Sequence, residues 1–548
     1  MSLHPEAIGP VPEETARVTR AAFPKGNVYM RMRDAFGGLY ADQAFAALFP
    51  ARGQPAEAPW RLALVLVMQF AEGLPDRQAA DAVRGRIDWK YALGLELTDP
   101  GFDASVLSEF RARLVAGGAE VLLLDAMLAR FKDAGLLKAR GRQRTDSTHV
   151  LAAIRWLNRL ECVGETVRHA LNALATVAPA WLRPRLDPAW AERYGPRFDE
   201  FRLPKGAAER RALAEAIGAD GFRLLGAVYA ADAPGWLRAV PAVETLRRVW
   251  VQEYYGPDDP PRWRAAEDLP PASRMINSPH DPEARYSLKR ETSWTGYKTH
   301  LTETCDPDAP HFVVHVETTP ATTPDWNLLA PIHGALAEKG LLPGEHMLDA
   351  GYVDAEGLVT SRDDHGIAVV GPVPADQSWQ ARAGQGFDVA CFVLDWEARR
   401  ATCPQGKTSV KWSATHDKRG SDVINIRFAR PDCAACASRT QCTSRADGGP
   451  REMTVRPRAQ HEALQAARQH QTTDAFKARY DARAGVEGTL SQGIRVCDLR
   501  RARYVGLAKV RLQHALTAAG LNLRRLGAWW DERPFAPTRR TPFLALAA

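Results

Sequence analysis

The most apolar stretch of the chain, Trp60 to Phe70 (WRLALVLVMQF), lies within Ala58 to Gly73, where apolar residues recur at helical spacing. It is shorter than the roughly 20 residues a bilayer-spanning helix needs, and it reads as a buried helix. Asp76 can cap the next helix (RQAADAVRGR), Asp103 can cap ASVLSEFRARLV, and Ala119 to Leu137 is a further amphipathic segment. Residues 25–138 therefore predict a compact all-helical domain. The pattern changes at Arg142, where RQRTDSTHVLAAI has the β-branched and polar mixture of a strand, and a helical run follows over Ile154 to Val177. Residues 178–275, rich in Pro, Trp and Arg, read as helical or irregular. Strands are predicted at Tyr297 to Thr304, His311 to Thr318, His346 to Asp349 and Ile367 to Val373, with a helix over Asp325 to Lys339. Thr473 to Glu487 and Val505 to Leu526 are helical again.

This order of strands and helices is what a mixed α/β, ribonuclease-H-like sheet would give. The expected division is a helical domain over 1–138 and a core over 139–375 and 461–530. Within that frame come a helical insertion at about 152–275, a Cys-rich insertion at 376–460 and a tail at 531–548. At 548 residues, 45% hydrophobic and 25% charged, the chain has globular composition. Met1 to Pro12 is polar and proline-punctuated, unlike a secretory leader, so a soluble, cytoplasmic protein is expected. The net charge is +7, and Ser491 to Ala548 holds eleven Lys/Arg against three Asp/Glu, leaving the remainder near −1. A cationic C-terminal segment suits a polyanion such as DNA, although a solvated helix face would have the same composition.

Two aspartates stand at strand positions. Asp146 lies inside RTDSTHV, and Asp349 ends an apolar strand before Ala350, Gly351 and Tyr352. A single Asp at a strand end is ordinarily a turn former. Two on neighbouring strands repel unless a cation lies between them, and Mg²⁺ is the hard, oxygen-loving ion that fits. Tyr480, Arg483 and Glu487 follow at spacings of three and four, which puts them on one helical face. The same spacing also makes an ordinary surface Arg–Glu pair.

Four of the eight cysteines, Cys403, Cys433, Cys436 and Cys442, cluster in CPQGK and CAACASRTQC. In a reducing compartment such clustering suits a metal better than disulfides. A tetrahedral Zn²⁺ site, an iron–sulfur cluster and plain reduced thiols all remain open. Cys162, Cys305, Cys391 and Cys497 are scattered and read as small buried apolar residues. Trp60, Trp156 and Trp294 read as core. Trp529 and Trp530 either dock the last helix or wedge against DNA or a second subunit.

Together these residues resemble the DDE transposases of bacterial insertion sequences. The N-terminal stretches LPDRQAADAV and FDASVLSEFRARL resemble an InsH-type N-terminal domain, and TDSTHV the first-aspartate strand. ARYSLKRETSWTGYKTHLTETCD resembles the stretch holding a Gly-Tyr-Lys triplet, here Gly296, Tyr297 and Lys298. ETTPATTPDWNLLAPI resembles the strand-to-helix segment, MLDAGYVD the second-aspartate motif, and Tyr480, Arg483 and Glu487 the third-carboxylate signature. The signature's usual Lys, seven residues after the Glu, is here Ile494, followed by Arg495.

The resemblance implies a ribonuclease-H-like core in which Asp146, Asp349 and Glu487 hold two Mg²⁺ or Mn²⁺ ions about 3.5–4 Å apart. It implies cleavage and strand transfer at the terminal inverted repeats of double-stranded DNA, in a nucleoid-associated enzyme that is a homodimer in the synapse. Tyr480 and Arg483 are implied to bind phosphate, with Lys298, His149 and Arg495 as further candidates for DNA contact. Relatives with such an insertion carry a Cys-rich segment, which favours a structural zinc. The rival expectations are a DNA-binding protein without catalysis and a ribonuclease-H-like nuclease without strand transfer.

Overall fold

The computed structural model describes residues 2–256, 261–384, 386–418, 420–445 and 447–533, together with Phe543 and Leu546. Most of the expected 531–548 tail thus lies outside the described residues.

Six strands form one mixed sheet: β1 (Arg142–Leu151), β2 (Arg285–Lys289), β3 (Thr292–Thr304), β4 (Val313–Pro320), β5 (Glu345–Met347) and β6 (Ala368–Val370). The long central pair, β1 and β3, runs antiparallel from Gln143↔Thr304 to Leu151↔Gly296. On its other edge β3 carries first β2 and then β4, both antiparallel. β5 joins β1 in parallel, β6 joins β5 in parallel, and the order is β4-β3-β1-β5-β6. β5 reaches only Arg142 to Arg144 of β1. Among the described residues no named strand pairs with Thr145 to Val150 along that edge, which is therefore open.

Strand alternation sends Arg144, Asp146, Thr148 and Val150 to one face and Thr145, Ser147 and His149 to the other. The first face is covered by a helix at Gly485–Cys497 and a long helix at Leu507–Trp530. The second face is backed by Leu329–Glu338 and Ala355–His365, through His346, His333 and Ser361. Leu62 to Phe70 of the helix Pro59–Glu72 pack into one core with Leu512, Leu516, Leu523, Leu301 and Val314. Trp530 lies against Phe36 and beneath Arg31, docking the end of the long helix. Among the described residues no helix is long and apolar enough to cross a membrane.

Several local expectations shift. Asp76 does not cap; it is the first residue of Asp76–Gly85 behind Pro75, and its carboxylate is taken by Arg111 and Gln69. Asp103 does accept from Ser105 N, at 2.8 Å. The run expected from Ile154 begins at Arg159, because Asn158 and Glu161 form a reciprocal capping box there. Trp156, just ahead of that cap, is 64% exposed, whereas Trp60 and Trp294 are buried. Cys162, Cys305 and Cys497 are buried, but Cys391 is exposed. Residues 159–254 carry helices around a second core built on Val163, Val167, Leu246 and Trp250. Strands β7 (Val393–Asp395), β8 (Arg400–Thr402), β9 (Lys411–His416), β10 (Asp422–Arg427) and β11 (Glu452–Val455) form two small sheets around Phe392, Ile426 and Phe428.

Candidate active site

Asp146 stands in the middle of β1, beside the open edge. The register Arg144↔Met347, continued by two residues, brings Asp349 alongside it. Asp349 sits just past β5 in a turn: its Oδ1 accepts from Gly351 N at 2.9 Å, and its carbonyl accepts from Tyr352 N. The third group arrives on a nearly continuous helical run, Asp474–Tyr480, a 3₁₀ turn at Asp481–Ala484 and then Gly485–Cys497. From the 3₁₀ turn Arg483 reaches the sheet, with Nη2 2.8 Å from Asp146 Oδ2 and Nη1 3.9 Å from Glu487 Oε1. Arg483 is 12% exposed and Asp146 14%, while Glu487 is 71% exposed.

Burial raises the Asp146 pKa above the ordinary carboxylate value, and Asp349 adds to the rise. Arg483 and the Ser147 amide oppose it without cancelling it. Tyr480, half-buried and stacked on Phe476, has its hydroxyl pKa raised chiefly by burial. Arg483, Asp349, Asp146 and Glu487 all act on that hydroxyl, which places Tyr480 within reach of the whole cluster. Among the described residues no group of three or more His, Cys, Asp or Glu side chains is arranged to hold a metal ion as it stands.

The anchor of this arrangement is Glu303, a fully buried carboxylate on β3 that sequence reasoning missed. It accepts from Arg144 Nε at 2.7 Å, from Arg525 Nη1 at 2.6 Å and from the Thr489 hydroxyl. Sheet, carboxylate helix and long helix are thereby tied at one point. Burial would raise the Glu303 pKa, but Arg525, Arg144 and Thr489 outweigh it and hold the pKa below the ordinary value. Arg144 also donates to the Ala482 carbonyl. A Cβ on Gly485 would stand 2.0 Å from Arg144 Nη1, so any larger residue there would push this guanidinium from its place beneath the helix. The missed signal was a carboxylate at an inward position of a strand, in phase with Thr299 and Leu301.

A fourth carboxylate, Asp325, was read only as a helix start. A Cβ on Gly351 would lie 3.0 Å from Asp349 Oδ1 and 3.4 Å from Asp325 Oδ2, so the two side chains are close neighbours. Asp325 Oδ1 accepts from Lys298 Nζ at 2.6 Å. The Gly-Tyr-Lys triplet now has physical roles. Gly296 has φ +154, and a Cβ there would strike the Val150 carbonyl at 2.2 Å. Tyr297 donates to buried Asp281, and Lys298 neutralises Asp325. Tyr352 is buried against His300, which accepts or donates at its hydroxyl.

The other candidates lie apart. Alternation puts His149 on the opposite face of β1 from Asp146, 5.5 Å from the Trp294 ring centre. Burial lowers the His149 pKa, and Arg500 and Lys289 lower it further. Arg495 is exposed, with Nε turned back to the Ser491 carbonyl, and Ile494 packs against the main core.

A family model described as "Transposase DDE domain" matches residues 402–527, which include Glu487 and its helix. A second, "Transposase domain (DUF772)", matches residues 17–113, the N-terminal helices. Both models describe transposase families, and together they support a DDE-type insertion-sequence transposase. No curated protein matches it. A transposase DDE domain implies an enzyme of DNA transposition, and such domains generally work with a divalent metal. The matched DDE segment also takes in the cysteine cluster. Cys403, Cys433, Cys436 and Cys442 line one cavity together with Arg439 and Arg451. Cys403 Sγ accepts from Lys407 N at 3.3 Å, and Cys433 Sγ accepts from Arg451 N at 3.4 Å. All eight cysteines are free of disulfides.

Proposed function

We propose that this transposase cleaves the terminal inverted repeats of its own element and joins the freed ends to target DNA, using Asp146, Asp349 and Glu487 as its metal-binding carboxylates. The observation that carries the reading is the meeting of three chain segments at the open edge of β1. Asp349, in the turn just past β5, comes beside Asp146 of β1 and acts on its charge, and Arg483 pairs with Asp146 and approaches Glu487. The strand order β4-β3-β1-β5-β6, with β5 and β6 parallel to β1 and the rest antiparallel, supports a ribonuclease-H-like core.

The donor set fits Mg²⁺ or Mn²⁺, because its members are carboxylate oxygens, one of them already resisting its full charge. Bound there, divalent ions would supply polarisation of the scissile phosphate and activation of the attacking oxygen. The chain's own groups do the rest. Arg483 presents a guanidinium fork suited to phosphate oxygens, and Tyr480 stands beside it with a hydroxyl that stays protonated and can donate. Glu303 holds both helices in register with the sheet. The cationic run Arg500, Arg501 and Arg503 and the exposed Lys289 and Arg290 of the β2–β3 hairpin suit a DNA backbone. Joining two ends in one synapse requires at least a dimer on DNA.

For the cysteine segment we propose a structural Zn²⁺ held by Cys403, Cys433, Cys436 and Cys442. The support is a shared cavity with four thiols and two amide N–H groups already aimed at sulfur.

The test is strand cleavage of a labelled duplex bearing the element's terminal repeat, with Mg²⁺ or Mn²⁺ against EDTA, in wild type and Asp349→Ala. Metal-dependent nicking at the repeat boundary that disappears in the variant is expected, followed by joining to a target duplex. Nicking without joining would favour a nuclease. Specific binding without cleavage would favour a DNA-binding protein that has lost catalysis.

A further inference from the structure

Arg483 occupies the space between two of the proposed metal ligands, and its bonding there is incomplete. Nη2 is paired with Asp146 at 2.8 Å, and Nη1 is 3.9 Å from Glu487. Nε is buried and has no hydrogen-bond partner. A buried donor without an acceptor is costly, so this guanidinium gains by meeting one more oxygen. Its second ligand, Glu487, is 71% exposed and held loosely, free to turn either toward Arg483 or into the cluster.

Charge balance points the same way. Asp146, Asp349, Glu487 and Asp325 bring four negative charges to one edge of the sheet, and Arg483, Lys298 and the more distant Lys289 return three, of which Arg483 alone is paired with Asp146. Lys298 is fixed on β3 and spends its charge on Asp325, outside the Asp146–Glu487 gap. Arg483 is the cation that a divalent ion would have to displace. A guanidinium in a bidentate phosphate contact finds an acceptor as good as Asp146 and fills its empty Nε position as well.

We propose that Arg483 is an internal counter-ion that holds the ion-free carboxylates together and is drawn off by a DNA phosphate, so that DNA and divalent cation bind cooperatively. The inference rests on the assignment of Asp146, Asp349 and Glu487 as metal ligands. It gives the transposase a way to stay poorly loaded with metal until DNA is in place. By linkage, the factor by which DNA strengthens metal binding equals the factor by which metal strengthens DNA binding.

The test uses the full chain and two binding readouts, neither of them cleavage. Mn²⁺ affinity without DNA is measured from the paramagnetic resonance of free Mn²⁺ for wild type, Arg483→Gln, Arg483→Lys and Asp349→Ala. Arg483→Gln should bind Mn²⁺ roughly tenfold more tightly than wild type, the factor that ~1.4 kcal/mol represents. Arg483→Lys, which keeps the charge, should stay near wild type. A disturbed fold would weaken Mn²⁺ binding, so the gain separates the counter-ion role from damage. If Arg483→Gln does not fold, Arg483→Met takes its place.

In the second readout, Mn²⁺ should tighten wild-type binding to a labelled duplex of arbitrary sequence, and this coupling should vanish in Arg483→Gln. Asp349→Ala marks the other failure. If it keeps wild-type Mn²⁺ binding, the carboxylate assignment itself is wrong. If it loses binding while Arg483→Gln gains none, or if wild-type duplex affinity ignores Mn²⁺, the assignment stands and the counter-ion role is overturned.

Discussion

At the scale of single residues, the site depends on a charge it never exposes. Glu303 is fully buried and shared by Arg144, Arg525 and Thr489, and every one of those partners belongs to a different element. Removing one member of such a network leaves the others as uncompensated buried charge, which costs ~3–5 kcal/mol. Glu303→Gln should therefore lower stability to chemical denaturation by about that amount, with Arg144 and Arg525 left facing an amide. If the variant unfolds within ~1 kcal/mol of wild type, water reaches this site and the anchor argument fails. The contrast with Asp146, Asp349 and Glu487 explains what could be read from sequence. Those three stand in recognisable frames: the inside of a strand, a strand end and an i, i+3, i+7 face. Glu303 and Asp325 do not, because one looks like an ordinary strand residue and the other like a helix start after Pro324. Their roles come from partners as far as 222 residues away in sequence, which no local pattern encodes.

At the scale of elements, the strands and helices that bury a periodic face were legible, and those defined by pairing or by caps were not. Pro59–Glu72 carries its apolar stripe openly, and it is found where the spacing puts it. β2 was missed because its outward residues, Tyr286 and Leu288, are exposed apolar groups that blur the alternation. The Asn158–Glu161 capping box was readable as a helix start and would have corrected the run begun at Ile154. The small sheets of the cysteine segment pose a different problem. Their core is built on a few side chains, chiefly Phe392, Ile426, Phe428, Met453 and Val455, and a unit so small usually needs a staple. A zinc ion on the four thiols would provide one. Purified protein should then contain about one Zn²⁺ per chain. Removing it by chelation, or changing Cys433→Ser, should open residues 387–455 to limited proteolysis while the helical core stays resistant. Protease resistance that is indifferent to chelator, in protein without zinc, would leave these thiols as plain reduced side chains.

At the scale of the whole molecule, the sheet is backed by histidines that are kept neutral. Burial pushes the pKa of His300, His315 and His514 down to about 3, that of His333 to about 4, and that of His346 well below the ordinary value. They are joined into the core by specific bonds: His346 to Thr145 at 2.7 Å and to His333 at 2.9 Å, and His514 to Thr318 at 2.8 Å. A depressed pKa in the folded state means that the unfolded chain binds more protons once the pH falls below ~6.5. The stability these groups permit is complete above that pH and is lost progressively as the pH drops toward 3–4. At pH 5.5 each such histidine costs up to ~1.4 kcal/mol, against a total stability of roughly 5–15 kcal/mol. The melting temperature should therefore fall by several degrees between pH 7.5 and 5.5, and a flat profile would mean that these rings are solvated or charged in the fold. Asp146 works in the opposite sense, since a raised carboxyl pKa is relieved rather than strained by acid. Activity could thus fail in acid for two reasons, protonation of Asp146 or loosening of the sheet behind it. Asp349→Ala tests the core alone: it removes the charge that adds to the Asp146 pKa but leaves every buried histidine in place. Because acid relieves the cluster, the melting temperature of this variant should fall between pH 7.5 and 5.5 at least as steeply as that of wild type, and a markedly flatter profile would overturn the assignment of the acid loss to the histidines.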